Sequence, residues 1–184
     1  MNKIFSHLDL KKKIKEIKKR KKKIVLCHGV FDVVHLGHIK HFEASKKFGD
    51  FLVVSVTKDI FIKKTLNSPL FNENQRLNFL QHLKIIDAIV LSNAASAEDI
   101  IELIRPNYYV KGNDYKINKL DKTKKIYKEK RLVEKYGGKI KYTNEINFSS
   151  TKIINDQGSI YNKEQINFLK LVKSKYQFEE IEKQ

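Results

Sequence analysis

Apolar residues recur along this chain in two alternating rhythms. Short, nearly unbroken apolar runs appear at Ile24-Val25-Leu26-Cys27, Phe51-Leu52-Val53-Val54-Ser55-Val56, Asp87-Ala88-Ile89-Val90-Leu91, Tyr108-Tyr109-Val110 and Lys139-Ile140-Lys141-Tyr142. They predict strands over 24–28, 51–56, 87–91, 108–110 and 139–142, buried on both faces where the run is continuous. Helical spacing fills the intervals. A helix is expected over 36–48, with Phe42 and Ala44 facing inward and Gly49 ending it. Another spans 72–83, where Asn72 is a cap with Gln75 three residues on. Ser96 is expected to cap 97–104, which Pro106 closes, and Gly137-Gly138 ends a helix over 122–136. Ahead of the first strand, residues 8–22 form a lysine-coated helix with a narrow stripe of Leu8, Leu10, Ile14 and Ile17. Residues 149–151 are expected to cap a short helix and 163–176 to form a last one; 57–72 reads as loop.

Strands alternating with helices at this spacing predict an α/β, Rossmann-like, doubly wound parallel sheet of about five strands with flanking helices. Ligands of such sheets sit beyond the carboxyl ends of the strands, where the winding reverses. The loops expected there are 28–38, 57–69, 112–116 and 147–151. The chain divides into a basic amino-terminal helix or tail (1–23), the α/β domain (24–156) and a helical extension (157–184).

Composition narrows the class. The chain has 184 residues, 41% hydrophobic and 32% charged, as expected for a soluble globular protein. Its single cysteine, Cys27, lies in a strand pattern, so no disulfide framework exists. No segment has signal-peptide or membrane-spanning character, which points to a cytoplasmic protein without membrane partners. The net charge of +17 invites a nucleic-acid reading. Eleven cationic side chains against two acidic ones give residues 1–23 a net +9 of it. Only four arginines occur (Arg20, Arg76, Arg105, Arg131), whereas base readers favour arginine forks and exposed aromatics. A solvated lysine coat is the better account, and it would draw in phosphorylated small substrates.

The chemistry concentrates at 28–41, where four of the six histidines fall (His28, His35, His38, His41). The segment leads from the first strand into a helix beginning His35-Leu36-Gly37-His38. Gly29 lets the backbone pass close to a ligand. His35 and His38, three apart at a helix start, share one face and can donate to triphosphate oxygens, while the helix dipole favours negative charge at the same place. A metal held by His35, His38 and His41 is disfavoured, because the i+6 offset turns His41 by about 240°. Walker and Gly-x-Gly-x-x-Gly loops are both absent.

Gly29-Val30-Phe31-Asp32 followed by His35-Leu36-Gly37-His38 resembles the signature of the cytidylyltransferase-like nucleotidyltransferases. The likeness covers about residues 24–154. It extends to Lys46–Asp50, Asn74-Gln75-Arg76, Pro106–Tyr115 and Phe148–Ile154. Within the family the chain is most similar to the adenylyltransferase domain of ADP-heptose synthase and to glycerol-3-phosphate cytidylyltransferase. The resemblance implies an enzyme, usually dimeric, that uses Mg²⁺ with its NTP, the metal being held mainly by the NTP phosphates. It implies that His35 and His38 hold the NTP phosphates, that Lys63 or Lys64 neutralises phosphate, and that Arg76 reaches phosphate. Gly29, Val30, Phe31, Asp32 and Gly37 would shape the first turn around the nucleotide. Lys111, Gly112 and Asp114 would line the base and sugar side, and Ser149, Ser150 and Thr151 would offer hydroxyls and helix-start amides.

Two departures stand out. Tyr142-Thr143-Asn144-Glu145 lacks the arginine that cytidylyltransferases carry before the Ser/Thr block. The family's Gly-Asp-Asp-Trp segment reads Gly112-Asn113-Asp114-Tyr115, the Val-Lys-Gly-x-Asp-Tyr form being closer to the heptose branch. The expected reaction joins an NTP, CTP slightly favoured over ATP, to a phosphorylated sugar or polyol for surface polysaccharide, releasing pyrophosphate. The alternatives are an ATP-dependent heptose-1-phosphate adenylyltransferase, a basic nucleic-acid-binding module, and a catalytically silent nucleotide sensor.

Overall fold

The computed structural model describes residues 2–62, 69–112, 125–143 and Glu164. The chain divides into two compact units, Met1–Phe148 and Ser149–Gln184. Every element below belongs to the first. The helices expected at 149–151 and 163–176 fall outside the described residues, apart from Glu164.

Five strands form one parallel sheet: β1 (Ile24–Gly29), β2 (Phe51–Thr57), β3 (Ala88–Ser92), β4 (Tyr108–Gly112) and β5 (Lys139–Thr143). Their order is β3-β2-β1-β4-β5. The sheet therefore winds one way from β1 to β3 and the other way through β4 and β5, and the switch point lies between β1 and β4. β1 pairs with β2 over its whole length, from Ile24 opposite Phe51 to Gly29 opposite Val56.

Alternation along the strands divides the core in two. Ile24, Leu26, Phe51, Val53, Val90 and Tyr109 face helices α1 (His7–Lys19), α4 (Glu98–Ile104) and α5 (Lys125–Lys135). Val25, Cys27, Leu52, Val54, Val56 and Val110 face α2 (Leu36–Lys46) and α3 (Glu73–Gln81). Both faces are covered, which is why these runs are apolar without interruption.

The amino-terminal segment is part of this body. Leu10, Ile14 and Ile17 of α1 are buried with Ile100, Ile101 and Ile104 of α4, whereas Leu8 is exposed. Before α1, Ile4 bridges Ile89 on the outer edge of β3. The Phe5 amide donates to the Ile89 carbonyl (2.9 Å), and the Ile89 amide to the Lys3 carbonyl (2.7 Å).

Three local expectations change. Ser45, not Ala44, is the buried partner of Phe42 on α2, where the Cys27 thiol meets its hydroxyl at 3.3 Å. Ser96 makes no cap; Ala97 holds that position without a side-chain bond, and the Ser96 hydroxyl instead donates to Glu98 Oε1 at 3.1 Å. The loop after β2 contains one 3-10 turn, Asp59–Phe61. Asn72 and Gln75 do form the expected reciprocal capping box of α3. No described helix is long and apolar enough to cross a membrane.

Candidate active site

β1 ends at Gly29, at the carboxyl edge beside the switch point, and the chain turns through Val30-Phe31-Asp32 before α2 begins. Phe31 holds φ at +54°, a left-handed conformation uncommon outside glycine. This turn drops the Phe31 ring back against Gly29. A Cβ on Gly29 would lie 3.2 Å from the ring, so glycine leaves the space the ring occupies. Phe31 also stacks edge-on to His38, at 5.4 Å between centroids, and packs on Phe42 at 5.3 Å.

The two histidines close the start of α2 upon each other. The Gly37 amide donates to His35 Nδ1 at 3.1 Å, and the His35 amide meets His38 Nδ1 at 3.4 Å, a capping box built from imidazoles. Their rings lie 4.0 Å apart, tilted 30°. Because each Nδ1 accepts from an amide, the proton of each neutral ring sits on Nε2. No carboxylate occupies the first turn of α2, so the positive end of the helix keeps its attraction for an anion. Burial lowers the pKa of His38 to about 4, helped by the neighbouring charges of His35 and His41 and opposed by a bond to the Val33 carbonyl. Burial also lowers His35. At neutral pH both rings are therefore uncharged, the His38 N–H being shared with the Val33 carbonyl.

Asp32 is buried, and its carboxylate accepts the amides of Leu70 (2.7 Å) and Phe71 (2.8 Å). It ties the turn after β1 to the segment leading into α3. Arg76, expected to reach phosphate, is instead 0% exposed. Its Nε donates to the Phe71 carbonyl (3.1 Å), one terminal nitrogen to the Val30 carbonyl, and the other to the Thr57 carbonyl (2.8 Å) and Asp59 Oδ1 (2.7 Å). Asp32 and Arg76 thus act as positioning residues, fastening the turn after β1 to the end of β2 and the start of α3.

Lys111, expected on the base and sugar side, is also largely buried. Its ammonium lies 3.5 Å from the His28 carbonyl and 3.8 Å from Glu129, over the Tyr109 ring. Gly112 ends β4 opposite Thr143. His28 pairs through Nδ1 with the Ser55 hydroxyl (3.1 Å), and His41 through Nδ1 with Thr143 (2.8 Å). Gly29, Val30, Phe31, Asp32, His35, Gly37 and His38 are brought together; Lys63, Lys64, Asp114, Ser149, Ser150 and Thr151 lie outside the described residues. The sequence reading missed Glu129, which is buried and accepts from the Ala97 amide and the Tyr109 hydroxyl, each at 2.9 Å. A glutamate among the lysines of an amphipathic helix carries no signal that it turns inward.

The family model described as cytidylyltransferase-like matches residues 26–156, the stretch holding most of β1, the histidine pair and β5. The chain belongs to this family. This nucleotidyltransferase is 37% identical over 123 residues to bifunctional protein HldE of Campylobacter jejuni subsp. doylei, covering 62% of this chain and 27% of that protein. It is 32% identical over 165 residues to bifunctional protein HldE of Geobacter metallireducens, covering 83% of this chain and 32% of that protein. It therefore spans about a third or less of the length of these relatives. Among solved structures it superposes on the lipopolysaccharide core biosynthesis protein of Thermoplasma volcanium with a TM-score of 0.52 and 28% identity, over 70% of this chain and 99% of the other. A pantoate-beta-alanine ligase from Francisella tularensis, at TM-score 0.56 and 14% identity, shares the fold over 84% of this chain and 76% of the other.

Proposed function

We propose that this nucleotidyltransferase joins an NTP to a phosphorylated sugar or polyol. An oxygen of the acceptor phosphate attacks the α-phosphorus in line, the bond to the bridging oxygen of the β-phosphate breaks, and pyrophosphate leaves. The acceptor is already anionic, so the step needs no dedicated general base. It needs positioning and stabilisation of charge growing on the phosphoryl oxygens. The carrying observation is the imidazole pair at the start of α2, with both Nδ1 atoms engaged by amides and both protons on Nε2. Neutral donors held in this way need little reorganisation as charge develops, the His38 N–H exchanging the Val33 carbonyl for a phosphoryl oxygen.

For the donor we propose ATP over the CTP that sequence alone slightly favours. The relatives named HldE support this choice, as does the likeness of Val110–Tyr115 to the heptose branch. A surface-polysaccharide role is supported by the similarity to a lipopolysaccharide core biosynthesis protein. Mg²⁺ would arrive with the triphosphate and neutralise part of its charge. The Asp32 carboxylate is engaged by two main-chain amides, so the metal would be held by the phosphates. We further propose a homodimer, to be checked by light scattering.

The deciding experiment scores pyrophosphate release over a matrix of ATP and CTP against sugar and polyol phosphates. Release is expected with ATP and a sugar 1-phosphate. His38→Ala should lower turnover by at least about 10²-fold while the fold persists. No release with any pair would overturn the reading.

A further inference from the structure

The opposite edge of the sheet, where β1, β4 and β5 begin, carries a second feature. A pocket of about 310 Å³ opens there, lined by Lys18, Lys21, Lys22, Lys23, Arg105 and Tyr136. Five of these six side chains are cationic. Among the described residues, no ion pair joins any of the five to a carboxylate. On the same helix Lys12 pairs with Asp9 and Lys13 with Glu16. The nearby Asp50 carboxylate accepts the Lys23 amide (2.8 Å) rather than an ammonium group.

The pocket is built. Lys18 donates to the Arg105 carbonyl at 3.0 Å, and the Arg105 guanidinium lies 4.6 Å over the Tyr136 ring. Lys21 and Arg105 both hold left-handed backbone, at φ 55° and 45°. Asn107 locks the floor: its side-chain oxygen accepts the Ile24 amide (2.8 Å) and its carbonyl the Lys139 amide (2.9 Å). Gly138 is required beside it, because a Cβ there would fall 2.3 Å from the Pro106 carbonyl. Burial, and then the charge of Arg105, lowers the Lys18 pKa. Like charges gathered without an ion-paired carboxylate repel one another, and a ligand rich in anionic oxygens relieves that repulsion.

We propose that this pocket binds a compact diphosphate-bearing anion, at a site separate from the nucleotide-transfer site. The occupant must be multiply charged to answer five cations. It must also be compact, to fit a cavity of about 310 Å³. Lys23 directly precedes β1 and Gly29 ends it, so the strand sets the two sites roughly 20 Å apart.

The test is calorimetric titration of the full chain at about 0.15 M salt with inorganic pyrophosphate, and separately with ADP. Lys21→Gln combined with Lys22→Gln should weaken the pocket's binding by at least about tenfold and leave turnover and melting temperature unchanged. His38→Gln should leave the pocket's binding intact. Lys18→Gln gives a second, independent reading of the same loss. If the lysine variants lose more affinity for ADP than for pyrophosphate, the site is assigned to nucleoside diphosphates; an equal loss for both probes assigns it to the diphosphate alone. The proposal fails if the lysine variants bind both probes as the parent does. It also fails if a short single-stranded RNA binds the parent more tightly than either probe and loses that binding in the same variants.

Discussion

His35 and His38 each use Nδ1 for the helix and keep Nε2 as the protonated nitrogen. A glutamine at 38 can offer an N–H without the ring stacking on Phe31, so His38→Gln should retain more turnover than His38→Ala. Titration gives a second expectation. The folded His38 stays neutral down to about pH 4, whereas an unfolded histidine protonates near pH 6.5. As pH falls between these values the unfolded chain takes up a proton that the folded one refuses, so stability is lost. The limit is about 3 kcal/mol by pH 4, and His38→Gln should flatten this part of a urea-unfolding profile. Arg76 makes a different demand. Lysine keeps its charge but not its fork, so Arg76→Lys should cost about 3 kcal/mol in urea unfolding, with turnover falling alongside. The motif residues were legible because their spacing is local. The work of Asp32 and Arg76 was not, because their partners are main-chain groups of segments that only the tertiary fold brings near.

Among the elements, the strands were legible to within one or two residues because burial on both faces writes itself as an unbroken apolar run. The caps were less so. Asn72 with Gln75 carries a reciprocal signal and forms its box, and Asn72→Ala should lower stability by about 1 kcal/mol, read as a shift in the denaturant midpoint. Ser96 offers a suitable side chain in a sharp turn, where Ser92 Oγ already donates to the Ser96 carbonyl at 3.1 Å, and the helix starts one residue later. Ala44 and Ser45 changed places because hydrophobicity alone ignores the thiol of Cys27, which the serine hydroxyl accompanies in the core. In the proposed mechanism, catalysis depends most on the turn after β1. Gly29→Ala would push a methyl group against the Phe31 ring, and through it move His38. Turnover should drop by about tenfold or more, while the melting temperature shifts by only a few degrees.

At the scale of the whole molecule, the sheet order puts the histidine pair at the reversal of winding and α1 on the opposite face from α2. The sequence sets residues 1–23 apart as a basic helix or tail, because charge dominates their composition. Burial of only three aliphatic side chains, Leu10, Ile14 and Ile17, makes it part of the body. Removing residues 1–22 should therefore cost several kcal/mol, at about 1.5–3 kcal/mol for each buried aliphatic. It should abolish turnover through unfolding, visible as loss of the circular-dichroism transition.

The short stretch that clasps Ile89 from outside has its own bearing on how the chain behaves in company. A parallel ribbon with a bare rim is a template on which another molecule's backbone can crystallise. Here the first few residues already sit on part of that rim, so the molecule is its own stopper at one end of the ribbon. Shaving off only those residues, and leaving α1 in place, should yield material that scatters light as it is concentrated, while the intact chain stays clear.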